Sequence, residues 1–352
     1  MASSVGRLPG QRRRRGGVRL KLVGLLLALG LPLSAHGQAS SAAFLFADRA
    51  QARAVLGARD DYVQATGDLE RSVALRSTEA VNEERFAARL ADQALAWNGN
   101  EQRLLEPLLA RLEQFVSGTK WRRPDRILLV KASRELLEGS PHTRANAIIL
   151  PESELDRGQE NLVYIVAHEL FHVLSRADAA LREELYAAIG FRRCARVELA
   201  DPLRGLRITN PDAVESRHAI RVRVGDRATE ALPFVHLPAG KFDRRAGFVA
   251  NLTVSWLPVE RSAGRCVVAP GATSLRPEQM EGLYEQIGRN TAYIMHPEEI
   301  LADNFALLFI LSAAETPKQV PSPELLQRMK RIMGISARNQ SFLSADQKIA
   351  VA

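Results

Sequence analysis

The 352-residue chain has only two cysteines, Cys194 and Cys266, and no Cys-x-x-Cys motif. Neither cysteine is therefore predicted to be a zinc ligand or a nucleophile. If the protein is exported, an oxidising compartment would favour a disulfide bond between them. Such a bond would close a long loop and stabilise the fold. Two buried free thiols are the alternative.

The chain also lacks internal repeats, low-complexity tracts and any apolar segment long enough to span a membrane. Its N-terminal apolar segment, Leu22–Leu33, has 12 residues, follows a basic segment that includes Arg12–Arg15, and precedes the small residues of Ser34–Gln38. This pattern is typical of a secretory signal peptide. We predict cleavage after residue 37, a secreted or periplasmic protein, and no stable membrane insertion after cleavage; an uncleaved anchor is the alternative.

Without the predicted signal peptide, the chain has almost no net charge. The formal net charge is +8, from 48 basic and 40 acidic residues, but residues 1–37 contain seven of the basic ones and no acidic one. The remaining 41 basic residues balance 40 acidic ones. Because binding to nucleic acid or to an anionic membrane needs a basic face, neither partner is predicted.

The motif with the clearest chemistry is His168-Glu169-Leu170-Phe171-His172, inside an otherwise apolar segment. On a helix, histidines four residues apart lie on one face, one turn apart, where both can reach a single metal ion. Zinc accepts imidazole nitrogen and prefers four ligands, which leaves room for a third protein ligand and a water. Glu169 could then take a proton from that water as a general base.

The motif resembles that of the zinc-dependent metallopeptidases with His-Glu-x-x-His, and most closely the gluzincins, whose third ligand is a glutamate on a later helix. Glu299 and Asp303 have the Glu-x-x-x-Asp spacing of that branch. The resemblance implies one zinc ion per chain held by His168, His172 and Glu299. It also implies that Asp303 binds the distal nitrogen of a ligand histidine, which fixes its tautomer.

A rival third ligand is Asp178, ten residues after His168, the spacing found in the metzincin branch. The turn position there is Ser175 where that branch has glycine, and Ser175–Asp178 also has the pattern of a helix start. Replacing Glu298 is expected to affect the metal site less than replacing Glu299 or Asp303, because position 298 points about 100° around the helix from 299 and has no acidic partner one turn on. For the donor to the developing oxyanion we predict Tyr293, with His296 and His218 as alternatives.

Hydrophobic periodicity predicts an α+β chain, and the resemblance implies a zincin-like catalytic core. The predicted regions are a signal peptide (1–37), a helical N-terminal region (38–120), a small sheet with the active-site helix (121–193), a β-rich insertion (194–275) and a helical region with the third metal ligand (276–352). The predicted helices are 79–97, 101–116, 276–290, 297–314 and 323–333, and the predicted strands are 127–130, 147–151, 219–224, 248–256 and 266–269.

Two details bear on substrate binding. By the same resemblance, residues 145–150 would form an edge strand that binds a peptide backbone by adding it to the sheet, although an interior strand is equally compatible with the sequence. The turn Asn210-Pro211-Asp212 is interpreted as a surface loop, with substrate contact as the alternative.

The function expected from these features is hydrolysis of a peptide or protein substrate by an exported zinc metallopeptidase. The alternatives are an exported zinc-binding protein with a structural or ligand-capturing site, and a zinc hydrolase of a non-peptide amide or ester. No sequence feature specifies an oligomeric state.

Overall fold

The structure is a computed structural model that describes residues 44–238, 248–269, 271–312 and 319–335. The predicted signal peptide lies outside these ranges. The described chain combines helices with two sheets, and most strands of the second sheet follow one another along the chain, which confirms the α+β class. No helix in the described ranges has both the length and the apolar character needed to cross a bilayer.

The N-terminal and C-terminal parts of the described chain are mainly helical. The α-helices are α1 Arg49–Leu56, α2 Asp61–Ala65, α3 Asp68–Ala74, α4 Glu83–Ala91, α5 Gly99–Ser117, α6 Glu152–Leu155, α7 Gln159–Ala177, α8 Ala179–Ala188, α9 Leu203–Leu206, α10 Leu283–Ile287, α11 Pro297–Ser312 and α12 Pro323–Met333.

The strands belong to two sheets. They are β1 Phe44–Phe46, β2 Ala94–Leu95, β3 Ile127–Ala132, β4 His142–Arg144, β5 Ala147–Pro151, β6 Phe191–Arg193, β7 Arg196–Glu198, β8 His218–Val224, β9 Arg227–His236, β10 Thr253–Ser262 and β11 Arg265–Val267.

The first sheet has the order β1-β3-β5-β4, with β2 also paired to β3. β3 is parallel to β1 and β5, whereas β4 is antiparallel to β5 and lies outside it. The interpretation of residues 145–150 as the edge strand is therefore wrong and the interior-strand alternative is confirmed for β5, because β4 forms this edge of the sheet. At three residues, β4 is too short to show an alternating pattern in the sequence.

The second sheet, of six strands, has the order β6-β8-β9-β10-β11-β7 and includes most of the predicted β-rich insertion. Its apolar cluster contains the disulfide bond between Cys194 and Cys266, which confirms the predicted pairing across 72 residues. Strand β9 was not predicted. The chain enters it through Gly225, whose φ of +56° favours glycine.

Helix α7 lies between the first sheet and helix α11. Its residues Val166, Leu170 and Leu174 are almost fully buried, and they share one apolar cluster with Ile148 and Leu150 of β5. Burial on both sides explains why this helix is apolar around most of its circumference.

Helix α11 crosses α7 through aromatic side chains. The Phe305 ring lies 5.6 Å from that of Phe171 on α7 and 5.5 Å from that of Phe115 on α5. Phe309 also packs on Phe115, with the ring centroids 5.4 Å apart. These contacts pack the middle of α11 against α7 and α5.

Two predicted helices are shorter than expected. The helix predicted over 79–97 is limited to α4, because residues after Asp92 pair with β3 as strand β2. The helix predicted over 276–290 is reduced to α10, since Gly282 and Gly288 adopt φ values of +83° and +74° on either side of it. A Cβ atom at Gly288 would lie 2.9 Å from the Leu325 side chain, so the close packing there also requires glycine.

Candidate metal centre

Three buried side chains converge where α7 meets the first turn of α11. His168 and His172 stand one turn apart on α7, with ring centroids 4.8 Å apart. The Oε2 atom of Glu299 lies 3.2 Å from Nε2 of His168 and 3.7 Å from Nε2 of His172. The structure therefore brings together the three residues predicted as metal ligands, and these three could hold a metal ion.

The spacing of these atoms fits a small metal ion. Two ligand atoms at about 2.0–2.1 Å from a tetrahedral zinc ion are about 3.3 Å apart, close to the two distances above. Nε2 of His172 is fully buried and has no hydrogen-bond partner among the described residues. A buried polar atom without a partner is costly, and a metal ion would satisfy it.

His168 is oriented by Asp303 from one turn further along α11. Nδ1 of His168 lies 2.8 Å from Oδ1 of Asp303, so the predicted contact is present. Asp303 also accepts hydrogen bonds from the hydroxyl groups of Tyr164 and Thr291. With a proton on Nδ1, the lone pair on Nε2 is directed at Glu299 and at the candidate metal position.

His172 has its own carboxylate, which the sequence analysis missed. Nδ1 of His172 lies 3.0 Å from Oε1 of Glu298, and Glu298 also accepts hydrogen bonds from Ser175 and Tyr186. Glu298 and Glu299 thus lie on opposite sides of the same imidazole ring. This contact was not predicted, because it depends on how the first turn of α11 packs against His172 of α7.

The histidines lie in a surplus of negative charge. Burial alone would lower the pKa of His172, but the charges of Asp212 and Glu299 and the hydrogen bond to Glu298 raise it to about 9. Burial likewise opposes protonation of His168, but its hydrogen bonds to Asp303 and Glu299 raise its pKa well above the usual value. A bound cation would offset the same charges.

Glu169 lies beside the three ligands and is only 3% exposed. Its Oε2 atom has no hydrogen-bond partner among the described residues. Burial, followed by the charge of Asp212, raises the pKa of Glu169 to about 8. Without a metal ion, burial therefore favours the protonated form of Glu169 near neutral pH, and the charge of a bound cation would lower its pKa and favour the carboxylate.

The predicted oxyanion donor, Tyr293, lies at the mouth of the site. Its side chain is 48% exposed, and its ring centroid lies 6.5 Å from that of His168. The alternative donor His296 instead accepts a hydrogen bond from the backbone N–H of Glu298, so it stabilises the first turn of α11. The other alternative, His218, is buried and bonded through Nε2 to Glu183 at 3.0 Å.

Asp178 stabilises the start of helix α8. Its Oδ1 accepts a hydrogen bond from the backbone N–H of Leu181 at 3.2 Å, and its Oδ2 accepts one from that of Arg122 at 3.1 Å. The interpretation of Asp178 as a helix cap is confirmed. Both of its oxygens are already bound to protein amides, so the structure favours Glu299 as the third ligand.

The turn Asn210-Pro211-Asp212 enters the same site, and its interpretation as a surface loop is wrong. The side-chain amide of Asn210 donates a hydrogen bond to Oε1 of Glu299 at 2.6 Å. Asp212 has a carboxylate oxygen within 4.8 Å of ligand atoms of both Glu169 and His172. The polar composition of this turn was its only signal in the sequence.

The described site therefore contains two imidazoles and one carboxylate that could hold a metal ion, an acid behind each imidazole, and a further buried carboxylate, Glu169, beside them. Comparison with known proteins finds no match for this chain among protein-family models, curated proteins or solved structures.

Proposed function

We propose that this chain is an exported zinc-dependent metallopeptidase with a zincin-like catalytic core. The observation that carries the proposal is the convergence of His168, His172 and Glu299 with the free carboxylate of Glu169 beside them. Three protein ligands leave one of the four zinc positions for water or substrate, which is the pattern of a catalytic site.

Zinc would supply Lewis-acid chemistry: it lowers the pKa of a coordinated water to about 7 and polarises the carbonyl of the substrate. Asp303 and Glu298 hold the two imidazoles in the tautomer that leaves each Nε2 free to bind the metal. Removing either acid should therefore weaken the site without removing a ligand.

Glu169 acts as the general base. It accepts a proton from the attacking water and donates it to the nitrogen of the leaving amine when the peptide bond breaks. Burial raises the pKa of Glu169 to about 8, and the charge of a bound zinc ion would lower it toward the neutral range that suits both steps. Tyr293 is the proposed hydrogen-bond donor to the oxygen that becomes negative during attack, since its side chain is exposed next to His168.

A peptide is the proposed substrate because β4 offers an antiparallel sheet edge beside α7. A substrate backbone could add to such an edge as a further strand. Export is proposed from the N-terminal sequence pattern and is supported by the disulfide bond, since such bonds persist in oxidising compartments.

A second candidate is an exported zinc-binding protein with a structural site. Asp212 favours it, because a fourth protein ligand would give the closed coordination of a structural zinc ion. A closed site, however, has no use for a free buried carboxylate at Glu169.

The variant Glu169→Gln separates the two candidates. Glutamine cannot accept the proton, so hydrolysis of a mixed peptide library should fall by about 10²–10⁴-fold while about one zinc per chain is retained. Chelator should abolish hydrolysis by the wild-type protein.

The matched control is Glu160→Gln, which changes an exposed glutamate in the first turn of the same helix and should leave both quantities unchanged. Hydrolysis by Glu169→Gln at the wild-type rate would contradict the proposal. A wild-type protein that holds zinc but cleaves no peptide would support the structural site.

A further inference from the structure

The segment Thr209–Asp212, here called the strap, links helix α9 to strand β8 and crosses the candidate metal centre. Its first residue, Thr209, is hydrogen-bonded to Glu70 of helix α3. The backbone N–H of Thr209 donates to Oε1 of Glu70 at 2.8 Å, and its hydroxyl lies 3.1 Å from Oε2 of the same side chain. Both residues are buried, which fixes the entry of the strap.

The middle of the strap contacts a metal ligand. Asn210 donates its side-chain N–H to Oε1 of Glu299, the carboxylate oxygen that does not face the histidines. The Oδ1 atom of Asn210 accepts a hydrogen bond from the backbone N–H of Asp212 at 2.9 Å. The amide of Asn210 thereby fixes the direction of the aspartate that follows.

Asp212 occupies a donor of the edge strand. Its Oδ1 accepts hydrogen bonds from the backbone N–H of Thr143 at 2.6 Å and from the Thr143 hydroxyl at 2.7 Å. Thr143 is the middle residue of β4, the antiparallel edge of the first sheet. A peptide backbone that extended the sheet would need this same N–H group.

Arg176 holds the strap against β4. Its Nη2 atom lies 2.9 Å from the Thr143 hydroxyl and 3.3 Å from the backbone oxygen of Asp212. Its Nη1 atom donates to the backbone oxygen of Ala145 at 2.8 Å. One guanidinium at the end of α7 thus joins the strap to the sheet edge.

We infer that the strap is a built-in occupant of the substrate cleft, in which Asp212 supplies a fourth metal ligand and blocks the edge-strand donor at Thr143. This inference rests on the proposed function. Two neutral imidazoles and the carboxylates of Glu299 and Asp212 would give a divalent ion a neutral ligand set. A ring nitrogen of His172 lies within 4.8 Å of a carboxylate oxygen of Asp212, and Nε2 of His172 has no hydrogen-bond partner among the described residues. Asp212 groups with His172 and Glu169, so its carboxylate would move toward Glu299 and His168 to complete the ligand set.

The bonds between the strap and the cleft are polar, so a substrate that offers equivalent bonds can displace it. The strap then lowers the apparent affinity of the site for any ligand in proportion to the time it spends in place. Substrates with little extended backbone cannot compete for the Thr143 N–H and are excluded.

The test uses the full exported chain with Co²⁺ in place of zinc, because cobalt absorbs visible light and reports changes in its ligands. Azide, a small anion that binds an open coordination position, is titrated into the wild-type protein and Asp212→Asn. The asparagine keeps an oxygen acceptor for Thr143 but is a poor ligand. If Asp212 occupies the position about nine-tenths of the time, azide should bind about 10-fold more tightly to Asp212→Asn.

Asp226→Asn, in the exposed turn between β8 and β9, is the matched control and should bind azide like the wild-type protein. Arg176→Gln loosens the strap without touching a ligand and should tighten azide binding by a smaller factor. It keeps the inference testable if Asp212→Asn does not fold. Unchanged azide affinity in the folded variants, with one cobalt bound, would overturn the strap alone. A wild-type protein that binds no cobalt would overturn the metal centre, and the strap with it.

Discussion

The interface of α7 with α11 and the six-stranded sheet are both buried, but different interactions hold them together. At the helix interface, the carboxylates of Glu298, Glu299 and Asp303 and the two histidines are all at most 9% exposed. The core of the sheet contains apolar side chains around the disulfide bond of Cys194 and Cys266.

The difference indicates which region serves chemistry. Buried ionisable groups carry a desolvation cost that apolar residues of similar size would avoid. Such a cluster is therefore a candidate functional site, whereas the sheet is a conventional hydrophobic core. The strap joins the two regions, because it lies between α9 and β8 and reaches back to Glu299.

Removing the disulfide bond, with Cys194→Ala and Cys266→Ala together, should affect only the six-stranded sheet. Opening a loop of 72 residues should lower the free energy of unfolding by about 3–5 kcal/mol in the chain-entropy model. Zinc content of the folded protein should stay the same, because neither cysteine touches a ligand. Urea unfolding and metal analysis check the two statements; loss of zinc from the folded variant would show that the regions are not independent.

A second pair of variants sharpens the comparison inside the helix interface. Asp303→Ala and Glu298→Ala should each weaken zinc binding by about 10–100-fold, because each removes the acid that orients one imidazole. Competition with a chromophoric chelator measures the affinity, and Glu160→Ala on the exposed start of α7 serves as the control. If Glu298→Ala binds zinc normally and Asp303→Ala does not, then only His168 depends on the carboxylate that orients it.

Much of the site was predictable because its signals are local. The spacing of His168 and His172 requires only a helix, and the Glu-x-x-x-Asp spacing places Glu299 and Asp303 on one face of the next. Helix α12 has the predicted bounds, since Pro323 marks its start and Gly334, with a φ of +74°, follows its end.

The remaining features depend on contacts between distant segments. The contact of Glu298 with His172 depends on the angle at which α11 crosses α7. The residue spacing within either helix does not specify this crossing angle. The strap depends on Thr143 and Asp212, which are 69 residues apart. Strands β1 and β2 are short and become strands only by pairing with β3, so local propensity gives them no signal.

The most direct test of the account is the zinc content of the purified chain after dialysis, compared between the wild-type protein, Glu299→Ala and Asp178→Ala. We expect about one zinc per chain in the wild-type protein and in Asp178→Ala, which loses a helix cap. Glu299→Ala should lose most of its zinc and its hydrolytic activity, because the two imidazoles then keep at most the displaceable Asp212 as a further protein ligand. Retention of zinc by folded Glu299→Ala, together with its loss from Asp178→Ala, would contradict the assignment of the metal centre.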